Sequence, residues 1–368
     1  MLTLKFISIF FLSSIIYSSS NSSVRALWIV RDHMAKPALI DDAVAFAEKN
    51  EFNHIFAQVR GRGDSFYNSK ITPKSNLVNS NFDPLDYLIN KCKDKDIKVH
   101  AWINVYYLWS SKKYPSQNNH LFYQRPEWLD RRENEKYILE KGYLDNTSDI
   151  IIDGEGFFLA PTNPNVNDYL INMVSELSNN YSIDGVHYDY IRYHSLDYGY
   201  NKDGIISFSV KNNYNDDYLT NNYDRIFSEY KRSSITDFVK RANHQIKKNL
   251  PNCIISAAVK PNIYDAKLIF SQEWDLWLSA GYVDWAVPMN YLTDDNDFLK
   301  NIHVMKDNLP KKYHARIIIG ISTYNQSARS VGKKIKKLKK MNFNNISIFS
   351  YNTMVDNPYY WRKLRKYF

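Results

Sequence analysis

Eight short apolar segments, separated by stretches with helical periodicity, are the feature that most constrains the fold of this chain. Each is rich in Val, Ile, Phe, Trp or Tyr and is short enough to be one β-strand. The predicted strands are RALWIV from Arg25, HIFAQVR from His54, KVHAWINVYY from Lys98, DGVHYDYIRY from Asp184, CIISAAVK from Cys253, VDWAVPMNY from Val283, ARIIIGIS from Ala315 and ISIFSYN from Ile346. Strands that alternate with helices favour a parallel sheet with helical crossovers. Eight such units predict an α/β fold, a single (β/α)8 TIM barrel over residues 23–368.

The segments between the strands carry recognisable helix signals. Asp83 and Asn163 are each followed by a proline, so we expect both residues to cap helices that begin at Pro84 and Pro164. The apolar segment that ends at Gly281 has the glycine expected just beyond a helix C-terminus. These signals place helices between the predicted strands, as the barrel requires.

The residues beyond a minimal barrel lie in two places. A (β/α)8 domain is typically ~250 residues long, whereas this chain has 368 residues. The extra length follows strands three and four, where the distance to the next strand is unusually long. Because loops after strands form the active-site face of a barrel, we expect the insertions at about 107–160 and 194–232 to line a cleft. Both insertions are rich in Tyr, Trp, Asn and Asp, which is typical of sugar-binding clefts and also of exposed loops.

The first 22 residues have the pattern of a secretory signal peptide. An apolar run from Phe6 to Tyr17 follows a lysine and is shorter than the ~20 residues that a membrane helix needs. Small residues from Ser18 to Ser20 come next, and we expect cleavage near them. Export would deliver residues 23–368 to the periplasm, the cell envelope or the medium; an uncleaved anchor is the alternative.

The charge of the chain indicates which surfaces it contacts. A net charge of +9 favours cell-wall polymers, acidic glycans or membranes, and export disfavours nucleic acid. The most basic stretch, residues 331–341, places Val331, Ile335 and Leu338 at helical spacing and its lysines on the other face. An ordinary surface helix is the first interpretation, and weak association with the envelope through this helix is the second.

The cysteines and histidines give no sign of a metal or cofactor. Cys92 and Cys253 lack metal-ligand spacing, and we expect two buried thiols rather than a disulfide. The nine histidines are scattered, so a zinc site is not predicted. The chain also lacks a Gly-x-Ser-x-Gly elbow and a phosphate-binding P-loop, which argues against the enzyme classes that use them.

The fourth predicted strand carries a carboxylate at the end where barrel active sites form. Alternation places His187, Asp189 and Ile191 on one face of this strand. A carboxylate buried without a partner is costly, and catalytic groups of this fold come from the carboxyl ends of strands. We therefore predict that Asp189 is catalytic; the structural alternative is a carboxylate neutralised by Arg192 or His187.

Other strand ends supply candidates for a second carboxylate and for substrate contacts. Asp64, after strand two, is the first candidate for the second catalytic carboxylate, followed by Asp32, Asp294 and Glu155. The candidate substrate-binding residues are Arg60 (on the face of Gln58), Trp102, Asn104, His187, Arg192, Lys260, Asn290 and Tyr291. Carboxylates surrounded by cations, amides and aromatic rings suit glycoside hydrolysis, in which two carboxyl groups flank the scissile bond.

Seven segments of the chain, five at predicted strands and two at predicted helices, resemble in this order the glycosyl hydrolase-like family 10. They are RALWIV, FAQVRGRGDSFYNS, KVHAWINVY, FLAPTNPNVNDYL, DGVHYDYIRY, SSITDFVKRAN and VDWAVPMNY, across roughly residues 24–355. The resemblance implies an exported TIM-barrel glycosidase, and because the family includes bacterial enzymes that cut peptidoglycan glycan strands, it makes peptidoglycan the expected polysaccharide. A non-catalytic carbohydrate-binding barrel of the envelope is the alternative, since a fold does not imply an activity.

A more distant likeness is to the family-eighteen chitinases, whose fourth strand carries Asp-Gly-x-Asp-x-Asp-x-Glu. Asp184, Gly185 and Asp189 match this pattern, whereas His187 and Ile191 stand at the second Asp and the Glu. Because the Glu is the acid of those enzymes, the likeness argues against their substrate-assisted chemistry here. The second catalytic group then has to come from another strand or loop.

Overall fold

The predicted (β/α)8 barrel is confirmed by a computed structural model, which describes residues 23–133, 154–212 and 222–368. The strands are β1 (Arg25–Ile29), β2 (His54–Arg60), β3 (Lys98–Asn104), β4 (Tyr107–Trp109), β5 (Phe157–Phe158), β6 (Gly185–Asp189), β7 (Ile254–Val259), β8 (Trp285–Pro288), β9 (Ile319–Ser322) and β10 (Ile346–Phe349). All except β4 and β5 belong to one parallel sheet in which β10 pairs with β1. Isolated bridges from Ala286 to Ile317 and from Met289 to Gly320 bring the two ends of this sheet together.

Helices connect the strands and cover the outside of the barrel. They are α1 (Pro37–Lys49), α2 (Pro84–Cys92), α3 (Leu121–Gln124), α4 (Pro164–Asn180), α5 (Lys202–Asn212), α6 (Tyr223–Asn249), α7 (Ile263–Phe270), α8 (Trp274–Ser279), α9 (Asp295–Asn308), α10 (Ala328–Lys340), α11 (Tyr351–Asp356) and α12 (Pro358–Leu364). The predicted caps are confirmed, because the side chains of Asp83 and Asn163 accept hydrogen bonds from the amides of Asp86 and Asn165. Among the described residues, no helix is both long and apolar enough to cross a membrane.

The strands divide their side chains between two cores. Outward-facing residues such as Val186 and Tyr188 of β6 pack into the large core between sheet and helices. Inward-facing residues fill the barrel, where Trp28 stands edge-on to the Trp102 ring at 4.8 Å and to the His187 ring at 4.6 Å. The interior of the barrel is therefore packed, and the cleft of the described residues lies at its carboxyl-terminal mouth.

Gly185 begins β6 beside the ring of His100. A Cβ at this position would lie 2.0 Å from Nδ1 of His100. The His100 ring also contacts His54, with 2.8 Å between Nε2 and Nδ1. Burial lowers the pKa of His54 to about 4 and the pKa of His100 well below its ordinary value. The glycine of the DGVHYDYIRY segment thus makes room for a pair of neutral histidines.

The two predicted insertions have different roles in the structure. The first forms the antiparallel pair β4 and β5, with Tyr107 opposite Phe158, and residues 134–153 of it lie outside the described residues. The second contains α5 and the start of α6, which enclose a small aromatic core around Phe208 and Phe227. Residues 213–221 of the second insertion and the predicted signal peptide, residues 1–22, also lie outside the described residues.

The predicted basic helix is α10, and one of its lysines is not on the solvent face. Lys334 is fully buried, and its Nζ donates to Leu292 O at 2.7 Å, Thr293 O at 2.9 Å and Gln326 Oε1 at 2.6 Å. The expectation that all lysines lie opposite the apolar stripe is therefore wrong at this position. Its long side chain reaches main-chain acceptors in the segment between β8 and α9, so its cost of burial is offset by hydrogen bonds.

The two cysteines agree with the sequence-based prediction. Cys92 and Cys253 are both buried and both free. Burial raises the pKa of each thiol to about 12. Neither sulfur therefore has the thiolate character that reactive cysteines need.

Candidate active site

The carboxyl ends of the strands surround a cleft with a volume of about 860 Å³. Its lining comes from segments that are far apart along the chain. The lining side chains include Arg31, Gln58, Arg62, Trp102, Asn104, Tyr107, Glu155, Asp189, Tyr190, Arg192, Lys260, Met289, Tyr291, Tyr324 and Phe349. The cleft is thus large enough for a sugar unit and combines carboxylates, cations and aromatic rings.

Asp189 is the last residue of β6 and lies at the bottom of this cleft, with 6% of its surface exposed. Its Oδ1 accepts a hydrogen bond of 2.7 Å from the amide of Tyr190. Burial raises the pKa of Asp189 to about 6, although the Tyr190 amide and the Arg192 guanidinium oppose the increase. A carboxyl group with this pKa is protonated in mildly acidic solution and can act as a general acid.

Glu155 is another carboxylate of the cleft lining, which also contains Asp265 and Asp297. The surroundings of Glu155 lower its pKa, whereas those of Asp189 raise the pKa of that residue. Its Oε2 accepts a hydrogen bond of 2.6 Å from Nη2 of Arg192, and its side chain is 43% exposed. Burial alone would raise its pKa, but the charge and hydrogen bond of Arg192, with smaller effects from Lys260 and His194, lower it below the ordinary value. Glu155 is therefore ionised under conditions in which Asp189 still holds a proton.

The two cations beside these carboxylates are held by aromatic rings. The guanidinium of Arg192 lies 5.0 Å from the ring centre of Tyr190 and 5.3 Å from that of Phe270. Nζ of Lys260 lies 4.2 Å from the same Phe270 ring. Burial, together with the charge of Arg192, lowers the pKa of Lys260 to about 8. The cations are thus partly desolvated, which strengthens their effect on charges in the cleft.

A turn directly after Asp189 changes the direction in which the side chains of the next residues point. Tyr190 has a φ of 49°, in the left-handed region that a tyrosine rarely adopts. The alternation of the strand stops there, so Ile191 packs into the outer core and Tyr190 lines the cleft. The prediction that Ile191 shares the face of His187 and Asp189 is therefore wrong, because the strand ends two residues earlier.

A comparison with protein families identifies the chain. The family model described as glycosyl hydrolase-like 10 matches residues 23–339. The chain belongs to the glycosyl hydrolase-like 10 family. This agrees with the resemblance carried by its strand segments.

Known proteins are similar to this glycosyl hydrolase-like 10 chain at low identity. Glycosyl hydrolase DigH of Escherichia coli K12 is 24% identical over 322 residues, which cover 80% of this chain and 67% of DigH. Glycosyl hydrolase YngK of Bacillus subtilis 168 is 22% identical over 277 residues, which cover 69% of this chain and 48% of YngK. The PgaB (BpsB) glycoside hydrolase domain from Bordetella bronchiseptica has a TM-score of 0.66 at 9% identity, covering 94% of this chain and 98% of that domain. The last likeness shows the fold alone.

The structure brings most of the predicted site residues of this family member to one place. Those that line the cleft are Asp189, Trp102, Asn104, Arg192, Lys260 and Tyr291, together with Glu155 from the list of alternative carboxylates. Asn104 pairs with Asp189 across β3 and β6, and its Oδ1 accepts a hydrogen bond of 3.0 Å from Nε1 of Trp102. These residues come together because adjacent strands end side by side.

Three predicted substrate-binding residues lie in the scaffold instead. Arg60 is fully buried and donates to the carbonyl groups at the end of β3, because the pairing of β2 with β3 shifts register after Gln58. His187 stacks on Phe56 at 4.2 Å inside the barrel, with its Nδ1 2.8 Å from the Ser256 hydroxyl. Asn290 is fully buried and donates to a carbonyl of α9 at 2.9 Å. None of the three is among the residues that line the described cleft.

Three candidate carboxylates are likewise placed outside the lining of the described cleft. Asp64 accepts a hydrogen bond of 2.9 Å from the amide of Arg62, and Asp294 caps α9 by accepting from two amides at 2.8 Å and 2.9 Å. Asp32 has a side chain that is 64% exposed. The prediction ranked Asp64 first because it follows a strand, but its carboxylate stabilises a loop while Glu155, from the insertion, reaches the cleft.

Some cleft residues were missed by the sequence analysis. Arg31 and Arg62 follow the first and second predicted strands by one and two residues, so the same rule that selected Lys260 could have found them. Tyr107 and Tyr190 stack at 4.3 Å on the cleft wall, and no periodicity reveals this pair, because one lies in β4 and the other in a left-handed turn. The described parts of the second insertion, residues 194–212 and 222–232, supply no lining side chain.

Metal-ligating side chains do not cluster in the part of the chain that the structure describes. Across residues 23–133, 154–212 and 222–368, no group of three or more His, Cys, Asp or Glu side chains is arranged to hold a metal ion.

Proposed function

We propose that this glycosyl hydrolase-like 10 protein is an exported glycoside hydrolase that cuts the glycan strands of peptidoglycan. The observation that carries the proposal is the pair Asp189 and Glu155, two carboxyl groups in one cleft whose surroundings move their pKa values in opposite directions. Paired carboxyl groups that differ in this way are typical of an acid and its base or nucleophile.

In the proposed mechanism, Asp189 donates its proton to the glycosidic oxygen. The bond between the anomeric carbon and that oxygen breaks, and the leaving sugar departs as an alcohol. The ionised Glu155 then acts at the positive anomeric carbon, either by attacking it or by activating a water molecule. Burial of Asp189 favours its protonated form before the reaction, and Arg192 keeps Glu155 ionised.

The walls of the cleft suit a sugar ring. Trp102, Tyr107 and Tyr190 present aromatic surface, and sugar rings stack on such surfaces through their apolar faces. Asn104 and Lys260 place an amide and an ammonium group within the same cleft. Polar groups of this kind orient a ligand once its apolar faces are covered.

The choice of peptidoglycan rests on three supports. The family resemblance implies wall-directed enzymes, the N-terminal pattern predicts export, and the net charge of +9 favours an anionic polymer. The relatives DigH and YngK are themselves named glycosyl hydrolases.

The test is an Asp189→Asn variant assayed for glycan release from purified sacculi. We expect activity to fall by at least about 100-fold, the lower end of what a general acid contributes. The matched control is Asp168→Asn, the same chemical change on the exposed face of α4, where Asp168 pairs with Arg241.

Two results would contradict the proposal. Full activity in a folded Asp189→Asn protein would remove Asp189 from the mechanism, and binding of sacculi by the wild type without new reducing ends would favour the non-catalytic barrel. An Asp64→Asn variant tests the sequence-based alternative. A loss equal to that of Asp189→Asn would return Asp64 to the catalytic pair in place of Glu155.

A further inference from the structure

Two arginines, Arg31 and Arg62, line the cleft where β1 and β2 end, and neither is neutralised by a carboxylate in close contact. Within the described residues, no carboxylate oxygen lies within 4.0 Å of the guanidinium of Arg62. The carboxylate nearest to Arg31 belongs to its neighbour Asp32, at 3.8 Å from Nε. That carboxylate is 64% exposed, so it screens Arg31 only weakly.

The main chain holds these two residues in place while their charged ends stay in the cleft. The Arg62 amide donates to Asp64, its carbonyl contacts Nε2 of His120 at 2.7 Å, and its guanidinium lies 5.8 Å from the Trp109 ring centre. The Arg31 amide donates to Gln58 at 3.2 Å. Hydrogen bonds made by the backbone thus leave both guanidinium groups available to a ligand.

The Arg31 side chain crosses the residue that precedes Arg62. A Cβ at Gly61 would lie 2.7 Å from Nη1 and 2.8 Å from Cδ of Arg31. The absence of a side chain at Gly61 therefore leaves the space in which the Arg31 side chain lies, directly beside the residue that precedes Arg62. Burial lowers the pKa of Arg62 and the charge of Arg31 lowers it further, whereas Tyr107, Asp64 and Asp32 oppose the change. The repulsion between two partly buried like charges is relieved when an anion binds between them.

We propose that Arg31 and Arg62 form a subsite for the carboxylate of an acidic sugar unit. The proposal rests on the proposed function and narrows its substrate class to a polysaccharide whose repeat carries a carboxylate. Guanidinium groups bind the planar carboxylate through paired hydrogen bonds, which a single ammonium group cannot reproduce. Because β2 lies two strands from β6, about 10 Å away, the carboxylate would belong to a unit beside the scissile bond.

The test is a binding measurement that does not depend on turnover. An Asp189→Asn protein is titrated calorimetrically with a tetrasaccharide of N-acetylglucosamine and N-acetylmuramic acid whose lactyl carboxylates are free, and with the methylamide of the same tetrasaccharide. We expect the acid to bind about tenfold or more tightly than the amide, the scale of one charge-assisted hydrogen bond. Adding Arg31→Gln or Arg62→Gln should abolish this preference.

Two further variants test whether the preference for the acid depends on the position of the Arg31 guanidinium or only on the total positive charge. Gly61→Ala keeps both arginines but pushes Arg31 away from Arg62, so the preference for the acid should shrink. Arg365→Gln removes one exposed charge outside the described cleft lining and should preserve the preference. Circular dichroism and thermal melting of each variant establish that the fold is retained.

The outcomes distinguish this subsite from the proposed function. Equal affinity for acid and amide, or no binding of either at millimolar concentration, overturns the subsite. A preference for the acid that survives in both arginine variants also overturns it. If the acid is preferred through these arginines while the wild type releases no reducing ends, the subsite stands and the proposed hydrolysis fails.

Discussion

At the scale of single residues, the site depends on two carboxyl groups with different neighbours. Asp189 lies in a nearly closed position at a strand end, and the lack of solvent disfavours its charge. Glu155 lies in a loop beside the cations Arg192 and Lys260, which favour its charge. The same functional group therefore holds a proton in one place and loses it in the other, as acid and base roles require.

This difference predicts the pH dependence of hydrolysis. We expect kcat/KM to fall as pH rises through about 6, because Asp189 of the free enzyme loses its proton there. We also expect kcat/KM to fall in acid, at a pH below 4.5, the ordinary pKa of a glutamate, because Glu155 is then protonated. Initial rates on a soluble glycan at constant ionic strength would measure both limbs.

Arg192→Gln provides the control for the acidic limb. Without the guanidinium, the pKa of Glu155 should rise, so the acidic limb should move to higher pH. An unchanged acidic limb would show that Glu155 is not the group that titrates there.

At the scale of elements, β6 carries the proposed catalytic residue and a structural residue on one inward face. Asp189 at its end faces the cleft, whereas His187, two residues earlier, packs against Phe56 and Trp28. Burial lowers the pKa of His187 to about 3. Its neutral ring is therefore part of the barrel core, and burial strongly disfavours its charged form in the folded protein.

This burial predicts a loss of stability in acid. The pKa of His187 is about 3 in the folded protein and 6.5 in the reference state, so its contribution is fully present above pH 6.5 and declines as pH falls from 6.5 toward 3. The slope for one such group is about 1.4 kcal/mol per pH unit. Urea unfolding between pH 7.5 and pH 4.5 would measure it.

His187→Gln is the matched variant, because glutamine can still contact the Ser256 hydroxyl but does not titrate. We expect its free energy of unfolding to be lower at pH 7.5, from poorer packing, and to fall less steeply in acid. Parallel curves for wild type and variant would show that His187 does not cause the acid sensitivity.

At the scale of the whole molecule, the positive charge is not spread evenly over α10. Lys334 is buried, Lys337 pairs with Asp295 at 2.8 Å, and Lys339 donates to the carbonyl groups of the last two residues. The exposed lysines of α10 that make neither this ion pair nor these hydrogen bonds are Lys333, Lys336 and Lys340. We therefore expect any weak association with the envelope through α10 to depend mainly on these three side chains.

This arrangement predicts the effect of removing three charges. Lys333→Gln, Lys336→Gln and Lys340→Gln together should weaken cosedimentation with purified sacculi at low ionic strength, because exposed charges attract an anionic polymer over about 10 Å. Hydrolysis of a soluble oligosaccharide should not change.

The control removes the same charge from exposed lysines elsewhere, at Lys93, Lys248 and Lys312. If both triple variants lose sacculus binding equally, net charge alone is responsible. If neither loses it, the envelope association through α10 is wrong.

The sequence alone determined the barrel and the strand ends at which the cleft forms. Strand and helix periodicities arise within a few residues, and parallel strands in chain order have few ways to close. The same local logic placed Asp189, Trp102 and Asn104 correctly, because side chains alternate regularly along a strand.

Only the tertiary structure decided which polar side chains face the cleft and which of them are ionised. A register shift between β2 and β3 accompanies the burial of Arg60. The left-handed turn at Tyr190 turns Ile191 into the outer core. A loop of the first insertion places Glu155 beside Arg192. These outcomes depend on contacts between segments far apart in the chain. Burial and the distance to other charges set each pKa, and neither quantity exists until those segments pack together.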